Sequence, residues 1–228
     1  MNPTVVVDPP RTPIDLVDHL ARLGTATVHE AIGRRNYFGP SFRPIYPGAR
    51  IAGTAVPVLV APGDNLMIHV AIEQTGPGDV LVVVPSSPSP DGYFGELIAT
   101  QCQTRGVRGL ITDTGIRDTA ELKDMGFPAW STAVSAQGTV KATAGSVNLP
   151  VVIGGVYVEP GDVIIADDDG VMSVPRAEAE TAIEASEARV AKEAKNMESF
   201  RNGEISLDVN GLRPLVERLG VTYVKYGS

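Results

Sequence analysis

Hydrophobic residues recur along this chain with two different periods. Ile51–Val60 alternates small and β-branched residues and predicts a strand, and the apolar run 81–84 predicts another. Segments 110–112 and 128–132 read as short strands, and 135–158, rich in Val, Thr, Ala and Gly, as two or three antiparallel ones. Pro77-Gly78-Asp79-Val80 and Pro160-Gly161-Asp162-Val163 both turn the chain into a buried strand, but nothing around the two copies matches, so no repeat is implied. Helical spacing covers 13–23 with Gly24 as its stop, 65–74 with Asp64 as a cap, 92–105 with Gly106 as its stop, and 119–125. Thr27-Val28-His29-Glu30 has capping-box spacing and predicts a short helix ending near Gly33. Residues 36–48 read as an extended loop.

After Pro175 one long helix is predicted over 177–200. Ile183, Val190 and Met197 fall seven apart on it, with Ala194 between, and make a narrow apolar seam suited to a partner. No linker composition interrupts the chain. The expected organisation is an unstructured arm (1–12), one α/β domain (13–175) and a helical C-terminal arm (176–228) that packs on a neighbouring subunit.

Composition narrows the function classes. The 228 residues are 43 % hydrophobic and 20 % charged, with aromatics at 5 %, 24 Gly and 18 Pro, which suits a turn-rich α/β domain with an aliphatic core. A net charge of −8 and the lack of a Lys/Arg run argue against nucleic acid as a partner. No apolar run approaches the length that spans a bilayer, and residues 1–11 lack the pattern of a signal peptide. The single cysteine, Cys102, fits a reducing compartment and reads as buried and inert. A cytoplasmic protein is expected.

The chemistry is concentrated in 95–118. Gly95-Glu96-Leu97-Ile98 opens a helix whose early amides, near Leu97 and Ile98, have no intrahelical partner and suit a carboxylate. Gly115-Ile116-Arg117-Asp118 ends a strand, where side chains project into a crevice. Arg117 offers forked donors to an oxo-acid, and Asp118 a hard oxygen ligand for Mg²⁺ or Mn²⁺. Asp118-Thr119-Ala120-Glu121 also has capping-box spacing, which gives Asp118 a second reading as a helix cap and Arg117 one as the ion-pair partner of Glu121 or another surface acid. Lys141 admits a Schiff-base reading beside that of a strand lysine facing solvent. Asp167-Asp168-Asp169-Gly170 lacks the alternating ligands of a calcium loop and reads as a hairpin turn. His19 and His29 read as structural, Phe127 and Trp130 as core.

The order Gly63-Asp64-Asn65-Leu66-Met67-Ile68-His69, Gly95-Glu96-Leu97, Gly106-Val107-Arg108-Gly109-Leu110-Ile111-Thr112-Asp113, Arg117-Asp118, Ser135-Ala136-Gln137-Gly138-Thr139-Val140-Lys141 and Ala166-Asp167-Asp168-Asp169-Gly170-Val171 resembles the RraA-like family. That family includes the 4-hydroxy-4-methyl-2-oxoglutarate/4-carboxy-4-hydroxy-2-oxoadipate aldolases. Twenty residues separate Glu96 from Arg117, the family's spacing of acid and Arg-Asp, although the family's acid is usually Asp. The resemblance implies a three-layer β/β/α sandwich of the swivelling-domain type, assembled as a trimer or hexamer. It implies a class II, divalent-metal-dependent aldolase of aromatic-compound catabolism that releases pyruvate, with oxaloacetate decarboxylation as a side activity. It places Asp118 on the metal, and Glu193 of a neighbouring subunit against it through a water. Gly95, Glu96, Leu97, Ile98 and Arg117 would hold the oxo-acid, with Asn65 and Lys141 beside it. Glu96, Arg117 and His69 would serve catalysis. Some relatives instead regulate ribonuclease E by binding it. A pure binding protein has no need of the full acid–Arg-Asp set, which favours the enzyme.

Overall fold

In the computed structural model, which describes residues 3–227, Ile51–Val60 is a strand as its alternation requires. The elements run β1 (Thr4–Val5), α1 (Ile14–Leu23), α2 (Thr25–Ala31), β2 (Arg43–Pro44), β3 (Ile51–Val60), α3 (Leu66–Gln74), β4 (Asp79–Pro85), β5 (Ser89–Phe94), α4 (Glu96–Thr104) and β6 (Gly109–Ile116). They continue with α5 (Thr119–Asp124), β7 (Ala129–Val134), β8 (Ser146–Val147), β9 (Val151–Ile153), β10 (Val156–Val158), β11 (Val163–Asp167), β12 (Gly170–Val174), α6 (Ala179–Arg201), α7 (Ser206–Val209) and α8 (Arg213–Arg218).

Strands β3, β4, β6 and β7 pair in parallel at the centre of a mixed sheet, with β2, β8 and β11 antiparallel on its flanks. Leu81, Val83 and Leu110 face a core shared with Ile68 of α3, Ala99 and Cys102 of α4 and Leu122 of α5. Val80, Val82, Ile111 and Trp130 face the opposite core, closed by Val151, Ile153 and Val158 of the β9–β10 hairpin. Helices therefore cover one face and a small second sheet the other, the expected β/β/α layering. Burial on both faces is why β4 reads as an unbroken apolar run. A third cluster joins Val17 and Leu20 of α1 to Ile165, Met172 and Val174 of the β11–β12 hairpin.

Several expectations are corrected. Residues 3–12 are not unstructured: β1 pairs with β8, Arg11 holds buried Asp79 at 2.8 Å, and Thr12 donates to the Gly161 carbonyl. Met1 and Asn2 lie outside the described residues. Helix α2 begins at Thr25, ahead of the Thr27 capping box, because the Thr25 amide finds an acceptor in the Asp167 carboxylate at 2.9 Å. The Asp167 and Asp168 carboxylates thus serve backbone amides, as in a hairpin turn. Residues 92–94 belong to β5 and not to a helix, since β6 captures them by pairing. Residues 135–145 form a loop, and the antiparallel strands begin only at Ser146.

The chain forms two compact units that divide between Ser186 and Glu187. Ile183, first member of the helical seam, is buried in the first unit, whereas Val190 and Met197 in the second are exposed. Within the second unit Glu193 pairs with Arg189 at 2.7 Å. No helix among the described residues is long and apolar enough to cross a membrane.

Candidate active site

The start of α4 and the Arg117-Asp118 pair meet in space because β5, α4 and β6 form a strand–helix–strand unit. β4 pairs the first half of β6, and β5 takes over the second half, registering Phe94 on Ile116. The chain then runs out through α4 and returns along β6. At the end of that circuit the Arg117 amide donates to the Phe94 carbonyl at 2.9 Å, which sets Gly95 against Asp118.

Asp118 has φ 56 and ψ 41, a left-handed conformation that Asp tolerates better than most residues. Its carboxylate makes no cap bond to α5. It accepts instead from the Glu96 amide at 3.1 Å, and Arg117 Nε stands 3.6 Å away. The capping-box alternative for Asp118 is therefore corrected, since the carboxylate serves α4 and not its own helix, and the acid beside Arg117 is Asp118 and not Glu121. Gly95 is what makes this approach possible, because a Cβ there would stand 2.3 Å from Asp118 Oδ2. Gly92 admits the opposite wall in the same way, since a Cβ on it would meet the Ser135 carbonyl at 2.4 Å.

With Glu96 N–H taken by Asp118 and the Gly95 carbonyl by Ala99, the Leu97 and Ile98 amides have no partner among the described residues. They line a cleft of about 80 Å³ together with Gly95, Arg117 and Asp118. At roughly 10–15 Å³ per water position, that space suits an acid of pyruvate's size. Asn65 and Lys141 line it too. So do Gly92, Tyr93, Gly138 and Thr139, none of which local pattern singled out as a site residue. The Tyr93 hydroxyl donates to the Ala61 carbonyl and accepts from the Gly63 amide, and its own carbonyl accepts from Asn65 Nδ2 at 2.9 Å. It thereby anchors the turn that leads into α3.

Two expected residues stand apart from the lining. Glu96 is exposed as the first residue of α4. His69 lies one helical turn after Asn65, half-buried. Asn65 Oδ1 and His69 Nε2 are both buried with no partner among the described residues, a state native polar atoms seldom keep. Burial, and then the charge of Lys141, hold the His69 imidazolium below its ordinary pKa. Burial pushes the Cys102 thiol up to about 12, which makes it the inert core residue expected. Glu193 belongs to the second unit.

The cleft gathers two cationic side chains and free amides around one carboxylate, in a protein whose net charge is −8. Such a local reversal of sign selects a small anion. Among the described residues no three acidic, His or Cys side chains cluster as a metal cage. A lone carboxylate suits a hard cation that keeps waters and takes further oxygens from its substrate, as Mg²⁺ does.

Comparison with known proteins locates the chain more closely. The RraA-like family model, described as Aldolase/RraA, matches residues 25–173. A Halalkalibacterium halodurans protein, provisionally named a 4-hydroxy-4-methyl-2-oxoglutarate aldolase, is 27 % identical over 90 % of this chain and 96 % of its own length. The Thermus thermophilus 4-hydroxy-4-methyl-2-oxoglutarate aldolase is 30 % identical over 56 % of this chain and 77 % of its own. A solved Streptomyces coelicolor structure, RraAS2, described as an unusual member of the RNase ES inhibitor RraA protein family, is 28 % identical. It superposes with a TM-score of 0.70, covering 84 % of this chain and 98 % of that one.

Proposed function

The chain belongs to the RraA-like family of Aldolase/RraA proteins, and from that premise we propose that it is a divalent-metal-dependent aldolase cleaving 4-hydroxy-4-methyl-2-oxoglutarate or 4-carboxy-4-hydroxy-2-oxoadipate. The observation that carries the reading is the meeting of the free Leu97 and Ile98 amides, Arg117 and Asp118 at one small cleft. The first two groups suit the carboxylate and 2-oxo oxygen of a pyruvyl unit, and the last suits its counter-cation.

In this reading the Leu97 and Ile98 amides hold the substrate carboxylate at the positive end of α4. Arg117 donates to the 2-oxo oxygen, and its charge stabilises the enolate that develops there. Asp118 would hold Mg²⁺ or Mn²⁺, which when bound supplies Lewis-acid polarisation of the oxo group. Cleavage removes the proton of the C4 hydroxyl and breaks the C3–C4 bond, leaving a carbonyl product and the enolate of pyruvate. His69 and Glu96, through water, are the proton carriers; one proton returns to C3 to give the methyl group. The same enolate follows loss of carbon dioxide from oxaloacetate, so decarboxylation is an expected side activity. Glu193 from a neighbouring subunit of a trimer or hexamer would complete the site. The rival reading, a regulator that binds an RNA-processing enzyme, rests on the described role of the Streptomyces neighbour. It gives no work to the free amides and the Arg-Asp pair.

A coupled assay of pyruvate release across both hydroxy-oxo-diacids and oxaloacetate, with Mg²⁺ present, tests the proposal. Release from at least one hydroxy-oxo-diacid is expected, and no release from either would sink the aldolase reading. Glu193→Ala is expected to slow turnover by about tenfold, as lost outer-sphere partners of a metal do, while the oligomer measured by light scattering persists. An unchanged rate would remove Glu193 from the site.

A further inference from the structure

Asp64 has no role in the chemistry above, yet it is only 2 % exposed and bears a carboxylate. An unpaired buried carboxylate is costly unless donors surround it. Here backbone amides do so. Leu66 N–H donates to Oδ1 at 2.9 Å, and Ala142 and Thr143 N–H donate to Oδ2 at 2.7 Å each. Burial by itself would raise the pKa of Asp64, but these amides, with the Thr143 hydroxyl, outweigh it and hold the group below its usual range.

The two oxygens serve different segments. Oδ1 bonds the start of α3, the helix that begins beside Asn65 and carries His69. Oδ2 bonds the loop that follows Lys141. Along the same seam the Val140 amide donates to the Gly63 carbonyl at 2.9 Å and the Asn65 amide to the Val140 carbonyl at 3.0 Å. Starting a helix needs only one short acceptor, which Ser or Asn supplies as well as Asp. The second oxygen is required only by the loop. Lys141 flanks this clamp directly, and its charge is felt by His69.

We propose that Asp64 is a positioning residue that pins the Lys141 loop to the start of α3, and so fixes the Lys141 ammonium relative to Asn65, His69 and the cleft. Its kinetic consequence rests on the aldolase reading; its structural consequence does not. Asp64→Asn puts an amide where Oδ2 accepts two N–H groups. Asp64→Ser keeps a short acceptor for Leu66 and gives up the second oxygen, so it serves if the Asn variant fails to fold.

Three measurements on the full chain judge the proposal. Amide exchange at Ala142 and Thr143 should quicken at least about tenfold, while β4 and β6 keep their protection. The His69 imidazole, followed by NMR, should titrate nearer its ordinary value as Lys141 moves away. Turnover should fall at least about tenfold, the scale of a misplaced site group. Adding Lys141→Ala to the Asp64 variant should then cost no more than about twofold beyond Lys141→Ala alone, because the two act as one unit. An unmoved His69 titration, unchanged exchange, or losses that simply multiply would each overturn the proposal. If the wild-type protein releases no pyruvate, the aldolase reading fails, and the exchange and His69 titration still decide whether Asp64 positions Lys141.

Discussion

Excess EDTA is expected to abolish pyruvate release from the Mg²⁺-supplemented protein, and readdition of Mg²⁺ or Mn²⁺ to restore it. The reason lies in the donor set. Asp118 is the one carboxylate lining the cleft, and no cluster of three acidic, His or Cys side chains occurs among the described residues. A cation held by one carboxylate, waters and substrate oxygens is open to a chelator. In the proposed reaction, its loss would leave only the protein's own cations and amides to face the charge that develops on the pyruvyl oxygen. The competing chemistry, a Schiff base on Lys141, predicts the opposite result. Full activity in excess chelator, with borohydride trapping at Lys141, would replace the metal mechanism by an amine one.

Asp118→Ala and Arg117→Ala are each expected to lower turnover by at least about 100-fold, the scale of one lost electrostatic stabiliser in a preorganised site. Each residue also has a local structural bond, so a second pair of variants separates the roles. Asp118→Asn retains an oxygen able to accept from the Glu96 amide, the bond seen at 3.1 Å, but loses the charge that would hold a cation. It should be nearly as inactive as the Ala variant. Arg117→Lys keeps the charge and loses the fork of donors, and should recover only part of the rate. Near-normal turnover in Asp118→Ala and Arg117→Ala would leave the pair a purely structural contact between α4 and the end of β6.

Much of the fold is legible in the chain because it is written in local pattern. The run Ile51–Val60, the stop at Gly24 and the Pro-Gly turns before β4 and β11 follow from burial periodicity and turn chemistry that need no distant partner. Where a distant group competes, local pattern misleads. The capping box at Thr27 yields to the Asp167 carboxylate offered to Thr25, and the helical reading of 92–94 yields to pairing with β6. The unstructured look of residues 3–12 conceals an edge strand and an Arg11–Asp79 ion pair, because each contact has its partner more than sixty positions away.

The candidate site divides in the same way. Local pattern suffices to show which residue types stand at the two ends of 95–118 and that a helix start and a strand end carry them. Which helix the Asp118 carboxylate serves is a matter of long-range packing, since the choice depends on β5 registering Phe94 on Ile116 and on Gly95 leaving room for an oxygen. Local pattern does not bring Asn65 and Lys141 to the same cleft; hydrogen bonds from backbone amides do, between segments separated by the sheet's central strands. A backbone amide carries no residue label, so bonds such as those to Asp64 leave no trace in the identity of their donors.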